Sequence, residues 1–412
     1  MFASQTKGSG DREVSTTMSF VRVLNGLVKH KQLGSRVVPI IPDEARTFGM
    51  EGMFRQLGIY ASGGQKYDPV DAGQIMYYRE DKKGQILEEG ITEAGSMAAW
   101  IAAATSYANH HLPLIPFYVY YSMFGYQRVG DLVWAAGDLQ ARGFMVGGTA
   151  GRTTINGEGL QHQDGHSHIL MSTVPTCRAY DPCYGHELAV IMQDGLKRMF
   201  QDKENCFYYL TVMNENYSHP QMPEGSEEGI VRGMYLLKSG ENAGKKKAPR
   251  VQLMGSGTIL REVEAAAELL AEDHGVVADV WSVTSFNELR REALEYDRQQ
   301  FLDYDEKREK PWVVQQLDGV EGPVIASTDY MKLYADQIRA WVPTDFHVLG
   351  TDGFGRSDTR EQLRRFFEVD RYYVTIQALR ALANRGEIDI KVVNDAMKKY
   401  GIDPAKPSPL LS

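Results

Sequence analysis

Apolar residues along this chain keep two rhythms that alternate. SFVRVLNGLVKHKQ (19–32) spaces them every three or four positions and predicts a helix, whereas RVVPIIPDEA (36–45) is a continuous apolar run that predicts a buried strand ending in the carboxylate pair Asp43–Glu44. A polar stretch between Gly63 and Gly90 follows, with turn-rich SGGQKYDPVDAG and charged REDKKG, and predicts a surface insertion around a short IMYY strand. QILEE predicts another short strand and Gly90 a turn. Thr92-Glu93 then opens a helix crowded with Ala, Gly and Ser, a composition that lets another backbone approach closely. LPLIPFYVYY reads as a strand entering an aromatic turn and an amphipathic helix, and FMVGG as one more strand. VPTCRAYDP, HELAVIMQDGLKRMF and CFYYLTV continue strand, helix, strand to about residue 213.

NENYSHPQMPEGSEEG (214–229) is a linker by composition, and the same grammar resumes beyond it. RVQLMGSGT leads into LREVEAAAELLAEDHG, then VVADVWSV and a charged helical stretch at 286–308. WVVQQL, PVIAST, a helix at 329–341 and FHVLGT come next, and helices fill 358–400. Short apolar strands alternating with helices predict βα units and a mostly parallel sheet. The fold class is therefore α/β, as two consecutive domains at 20–215 and 228–412, with a polar segment at 1–19 and a linker at 216–227. Internal repeats are not evident.

One stretch breaks the rhythm. Gly147 to His168, GGTAGRTTINGEGLQHQDGHSH, holds six glycines, Glu158 and the histidines His162, His166 and His168, with almost no apolar content. Too little in it would offset the cost of burial, so the expectation is an exposed loop, and structureless loops of this length are usually functional or disordered. Glu158 and the three histidines are of the types that ligate zinc, but Gly157, Gly159 and Gly165 work against the helix on which a His-x-x-x-His pair best serves a metal. Histidines that donate protons or hydrogen bonds to an anionic substrate suit a glycine-punctuated loop better.

Other residues admit two readings each. Glu93 is either a first-turn acid complementing the helix dipole or a buried acid poised to exchange a proton, and EAGSMAAW brings no cation within a helical turn to pair it. Tyr118, Tyr120, Tyr121, Phe124 and Tyr126 are either core or a platform for a planar heterocycle. Gly255-Ser256-Gly257 lacks the third glycine of a dinucleotide fingerprint, since Leu260 stands there, and reads as a tight turn.

Composition narrows the class. With 45 Lys and Arg against 54 Asp and Glu, net charge is −9, which disfavours nucleic acid or an anionic membrane as the main partner. Cys177, Cys183 and Cys206 are too few for a disulfide framework and fit a reducing, cytoplasmic setting. No apolar run reaches the ~18 residues of a membrane span.

PDEARTFGMEGMFRQLGIY, QILEEGITEAG, IPFYVYYSMFGYQRVGDL, GRTTINGEGLQHQDGHSH and LGTDGFGRSD, in this order, resemble the homodimeric bacterial pyruvate dehydrogenase family, the decarboxylating component of the pyruvate dehydrogenase complex. The likeness runs from about residue 14 onward and covers the family's middle and C-terminal domains. These are a transketolase-like pyrimidine-binding domain and a transketolase C-terminal-like domain. The hallmark of the family's first domain, Gly-Asp-Gly, does not occur among the 412 residues. The resemblance implies thiamine diphosphate as cofactor, with Mg²⁺ and the diphosphate held by that first domain. It implies oxidative decarboxylation of pyruvate and acetyl transfer to the lipoyl group of dihydrolipoyl acetyltransferase. Residue by residue, Glu93 matches the glutamate that hydrogen-bonds the aminopyrimidine, a role that a buried, unpaired carboxyl would suit. Tyr121 and Phe124 match aromatic residues packing on that ring. Asp43 matches an acid near the thiazolium, with Glu44 beside it. His162 matches the histidine that handles substrate and acyl transfer, and Glu158 adjoins it.

Three functions are thus in play. The chain acts as the C-terminal portion of the decarboxylating component, paired with a diphosphate-binding domain. Alternatively it is a non-catalytic dimerising fragment dependent on a separate diphosphate-binding chain. The third reading is an independent metal hydrolase using Glu158 and the histidines.

Overall fold

A computed structural model of the protein describes residues 2–43, 45–70, 78–156, 159–242 and 248–412. It divides into two compact units. The first comprises Met1–Ala150, Leu170–Ala179 and Tyr184–Met222; the second comprises Gly151–Ile169, Tyr180–Cys183 and Pro223–Ser412.

The first unit is built on a six-stranded sheet. Its strands are β1 (Val37–Ile41), β2 (Leu87–Glu88), β3 (Ile115–Tyr121), β4 (Phe144–Gly148), β5 (Cys177–Tyr180) and β6 (Phe207–Thr211), in the order β2-β1-β3-β4-β6-β5. The registers Val37 with Ile115, Phe117 with Phe144 and Gly147 with Thr211 are all parallel. Parallel strands are covered on both faces, which is why IPFYVYY and FMVGG are continuous apolar runs and not alternating ones. On one face Phe117 stacks on Phe144 at 4.8 Å, and Phe20 of α1 (Thr16–Val28) closes over Phe117 at 6.0 Å. On the other face lie Trp100 and Met97 of α2 (Glu93–Ala104), Val133 and Ala136 of α3 (Tyr126–Asp138), and Tyr118, Tyr120, Tyr209 and Phe207 from the strands. The Trp100 indole N–H donates to the Phe144 carbonyl at 3.0 Å, so the largest core side chain buries no unmatched donor.

The polar N-terminal stretch is held against this unit. Val14 bridges Tyr217, Ser9 N–H donates to the His219 carbonyl at 2.9 Å, and Phe2 is buried. Most of the expected IMYY strand lies outside the described residues. Around it, Ile59–Tyr60 pairs with Glu80–Asp81 in a separate two-stranded ladder.

The second unit carries β7 (Tyr235–Lys238), β8 (Arg250–Gly255), β9 (Val277–Ser282), β10 (Val324–Ser327) and β11 (Phe346–Leu349) in the order β11-β10-β8-β9-β7. Four of these strands run parallel, and β7, which the sequence pattern misses, adds antiparallel to β9 at the edge. WVVQQ forms a helical turn, Trp312–Gln316, started by Pro311. Helix α4 (Leu260–His274) packs on the sheet, and α5 (Phe286–Leu302) begins at Ser285, whose hydroxyl caps Glu288 N–H. Arg371, at the start of α6 (Arg371–Asn384), grips Glu262 of α4 through both its backbone N–H and its guanidinium Nε at 3.0 Å. Gly257 sits at φ +49 in a tight turn that donates its N–H to the Asp181 carbonyl, so the GSG segment is a turn.

Candidate active site

The first unit gathers one group of the expected residues. Thr92 takes the N-cap of α2 and its hydroxyl accepts Gly95 N–H, which makes Glu93 the first helical residue. The Glu93 side chain keeps only 14% of its surface exposed. Its backbone carbonyl accepts the Tyr118 hydroxyl at 3.3 Å. Burial, reinforced by the Glu93 carboxylate, pushes the Tyr118 phenol well above its ordinary range, so it acts as a donor throughout the neutral region.

Local sequence leaves Glu93 without a cation, but the fold supplies one. Arg128 of α3 places a guanidinium nitrogen 2.6 Å from Glu93 Oε1, and the same guanidinium lies 4.0 Å over the Phe124 ring. This corrects the unpaired carboxyl expected from EAGSMAAW. The partner stands 35 residues further on, in another helix, where a turn-by-turn reading does not look.

Tyr121 ends β3 and meets Phe124 edge-on at 6.1 Å and Phe48 at 5.2 Å, while its hydroxyl donates to Thr47 at 3.1 Å. Asp43, two residues beyond β1, is half-buried. Glu44 lies outside the described residues. The aromatic cluster thus divides: Tyr118 and Tyr120 are core, whereas Tyr121 and Phe124 remain part-exposed.

Part of the glycine-histidine stretch overturns the expectation of an exposed loop, while Asn156, Leu160 and Gln161 are exposed as expected. Its residues 151–169 pack with the second unit, and residues 150–155 together with Gln163, Asp164, Ser167 and His168 are buried. Polar groups can be buried when they are hydrogen-bonded, and here the partners come from far along the chain. Asp329 accepts Thr153 N–H at 2.8 Å and the Thr153 hydroxyl at 2.7 Å on one oxygen, and the Thr154 hydroxyl at 2.6 Å on the other. Arg152 donates to the Thr351 and Gly353 carbonyls. Arg360 donates to the Thr154 carbonyl, and Gln163 accepts Arg356 N–H at 2.7 Å. Burial raises the Asp329 carboxyl against the pull of its threonine donors and Arg364.

Gly151 adopts φ +81, and a Cβ there would strike the Asp329 carboxylate. A Cβ at Gly165 would lie 2.5 Å from the Arg152 guanidinium. The glycines that make the stretch look loose are therefore what let it pack tightly.

The three histidines have different settings. His168 is fully buried, stacked on Tyr334 and edge-on to Tyr330, both at 4.8 Å. Desolvation lowers its imidazole to about 3 despite the opposing charge of Asp164, so it is neutral at physiological pH. His166 donates its backbone N–H to Asp164, which also receives Ser167 N–H and so caps the short helix Ser167–Met171. His162 ends a 3₁₀ turn, Leu160–His162, and is half-buried. Glu158 lies outside the described residues. Among the described residues no group of three or more His, Cys, Asp or Glu stands placed to hold a metal ion. Nor, among them, is any helix long and apolar enough to cross a membrane.

Comparison with known proteins agrees along the chain. Residues 1–220 match the model of the pyruvate dehydrogenase E1 component middle domain, and 233–370 that of the transketolase-like TK C-terminal domain. The pyruvate dehydrogenase E1 component of Pseudomonas aeruginosa is 65% identical over 404 residues, covering 98% of this chain and 46% of that protein. Its counterpart from Escherichia coli K12 is 59% identical over 403 residues, covering 97% of this chain and 45% of the relative. The chain spans about half the length of the curated relatives it matches. Among solved structures, transketolase from Campylobacter jejuni has a TM-score of 0.65 at 16% identity, covering 92% of this chain and 49% of its own. A split gene transketolase, an inactive β4 tetramer, has a TM-score of 0.57 at 14% identity over 90% of this chain and 98% of its own. At those identities the structural likeness establishes the transketolase-like α/β fold alone.

Proposed function

The chain belongs to the pyruvate dehydrogenase E1 component family, and from that premise we propose that it supplies the aminopyrimidine-binding and acyl-handling groups for thiamine-diphosphate-dependent oxidative decarboxylation of pyruvate. Acetyl transfer to the lipoyl group of dihydrolipoyl acetyltransferase completes the reaction. It works in concert with a diphosphate-binding domain, which holds the cofactor's phosphates and Mg²⁺, in a dimeric cytoplasmic assembly.

The observation that carries this reading is Glu93. It is a poorly exposed carboxylate at a helix start, in the same unit as the part-exposed Tyr121–Phe124 pair. An aminopyrimidine asks for a carboxyl group at a ring nitrogen and an apolar wall against its face, and these residues meet both demands. When bound, thiamine diphosphate supplies an acidic carbon that adds to the 2-oxo acid and accepts the electrons released with carbon dioxide.

Glu93 offers its carboxyl group as the hydrogen-bonding partner of the ring nitrogen, while Arg128 holds its Oε1. Tyr121 and Phe124 exclude water from the ring face. Asp43 and Glu44 bias the electrostatics beside the reacting carbon, and His162 with Glu158 steers the carboxylate of pyruvate and then the acyl group. His168, enclosed by Tyr330 and Tyr334, orders the loop.

The split transketolase favours a second reading, in which this chain is a non-catalytic fragment that assembles with copies of itself. One experiment separates the two. The chain is mixed with the diphosphate-binding domain of the Pseudomonas aeruginosa relative, thiamine diphosphate and Mg²⁺, and ferricyanide reduction by pyruvate is followed. The proposal predicts turnover that Glu93→Gln lowers by at least about 100-fold. A stable oligomer with no turnover under any mixing ratio supports the second reading.

A further inference from the structure

We propose that Asp329, which follows β10 in the second unit, is a positioning residue that sets the glycine-histidine stretch and through it His162. Asp329 lies outside every motif that pointed to the chemistry, and the role assigned to His162 rests on the function proposed above.

The geometry is specific. Asp329 is completely buried, and its two carboxylate oxygens receive three donors from two consecutive residues of the stretch, Thr153 and Thr154. Its backbone carbonyl receives Arg152 N–H at 3.2 Å and the Thr351 hydroxyl at 2.9 Å, so one residue ties three successive positions of the stretch to the segment after β11. The other end is tied by the same strand-end segment, because Met331 N–H donates to the Gly165 carbonyl at 2.8 Å. The Asn287 side chain holds the His168 carbonyl at 2.9 Å. His162 lies between these two fixed ends, in the 3₁₀ turn Leu160–His162, and Gln163 beside it accepts Arg356 N–H.

A side chain on a stretch of low intrinsic order is placed by what anchors its ends. At one end the anchors are three buried bonds to the Asp329 carboxyl group, and at the other they are amide bonds to the Gly165 and His168 carbonyls. Thr154 also shares its hydroxyl with Thr258 at 2.5 Å, which passes the same network to the turn after β8.

The test uses Asp329→Ala with two readouts. The first is hydrogen exchange of peptides covering 151–169 in the purified chain, a measurement that needs no cofactor and no activity. Exchange there should rise about 10- to 100-fold, the cost of losing such bonds, while peptides from β8 and β9 stay protected. The second is a double-mutant cycle in the reconstituted enzyme. A fall in kcat of about 100-fold is expected with His162 present and should vanish in a His162→Ala background, since a residue acting through His162 has nothing left to position. Additive losses, or unchanged exchange in 151–169, would overturn the assignment. Should Asp329→Ala not fold, the Thr153→Val/Thr154→Val pair removes both hydroxyl donors and must give the same pattern at smaller amplitude, or the assignment fails. If the wild-type mixture does not turn over pyruvate, the functional proposal falls, and the exchange readout still decides the positioning claim.

Discussion

His168 ties the stability of the glycine-histidine stretch to pH, and the size of the effect follows from its burial. Its imidazole titrates near 3 in the folded chain because desolvation against Tyr330 and Tyr334 outweighs the charge of Asp164. In the unfolded chain the ordinary value of about 6.5 applies. Between these values the unfolded state binds the extra proton, so stability is complete above about pH 6.5 and falls as pH drops toward 3. Over the ~1.5 pH units from 6.5 to about 5, at about 1.4 kcal/mol per unit, the loss is about 2 kcal/mol. The perturbation is acidification, and the control is His168→Gln, which lowers stability at every pH but removes the titrating group. Urea unfolding of both proteins at intervals from pH 8 to pH 5 should show the wild type losing about 2 kcal/mol more than the variant. Parallel curves would refute the reasoning, as would a His168 Cε1 resonance moving with a midpoint near 6.5.

Further consequences are open to direct measurement. Arg128→Ala removes the Glu93 ion pair, but the arginine side chain is 47% exposed, so unfolding free energy should change by less than about 1 kcal/mol in a urea titration. Trp100→Ala empties a fully buried site and deletes the bond to the Phe144 carbonyl. A loss of about 3–5 kcal/mol is expected, read from the shift in urea midpoint at constant slope. Gly151→Ala drives a Cβ into the Asp329 carboxylate at φ +81 and should cost more than about 1 kcal/mol, whereas the same substitution at open, surface Gly52 should cost much less.

Much of the fold is legible because parallel strands and their helices write different rhythms. FMVGG is strand Phe144–Gly148 to the residue, and Thr92-Glu93 marks the true start of α2. β7 escapes because YLLK alternates on a half-exposed edge and is too short to stand out from the linker before it. WVVQQ shows how a short apolar run stays ambiguous between strand and helix until its neighbours decide.

The site is legible where its chemistry is local and opaque where it is not. Polarity argues against burying 151–169 when the stretch is considered alone. Residues 151–155 are buried nonetheless, because Asp329, more than 170 positions from Thr153, accepts from Thr153 and Thr154, and no local signal announces such a partner. Arg128 escapes for the same reason. Its charge sits on α3 and reaches Glu93 only once β3 has brought the two helices together.

In the function proposed above, Glu93 is the group that meets the cofactor's ring. In the reconstituted mixture, thiamine diphosphate binding and ferricyanide-coupled pyruvate oxidation are measured together for wild type and Glu93→Gln. The variant is expected to fold and assemble but to lose turnover by at least about 100-fold. Undiminished turnover with glutamine at position 93 would contradict it.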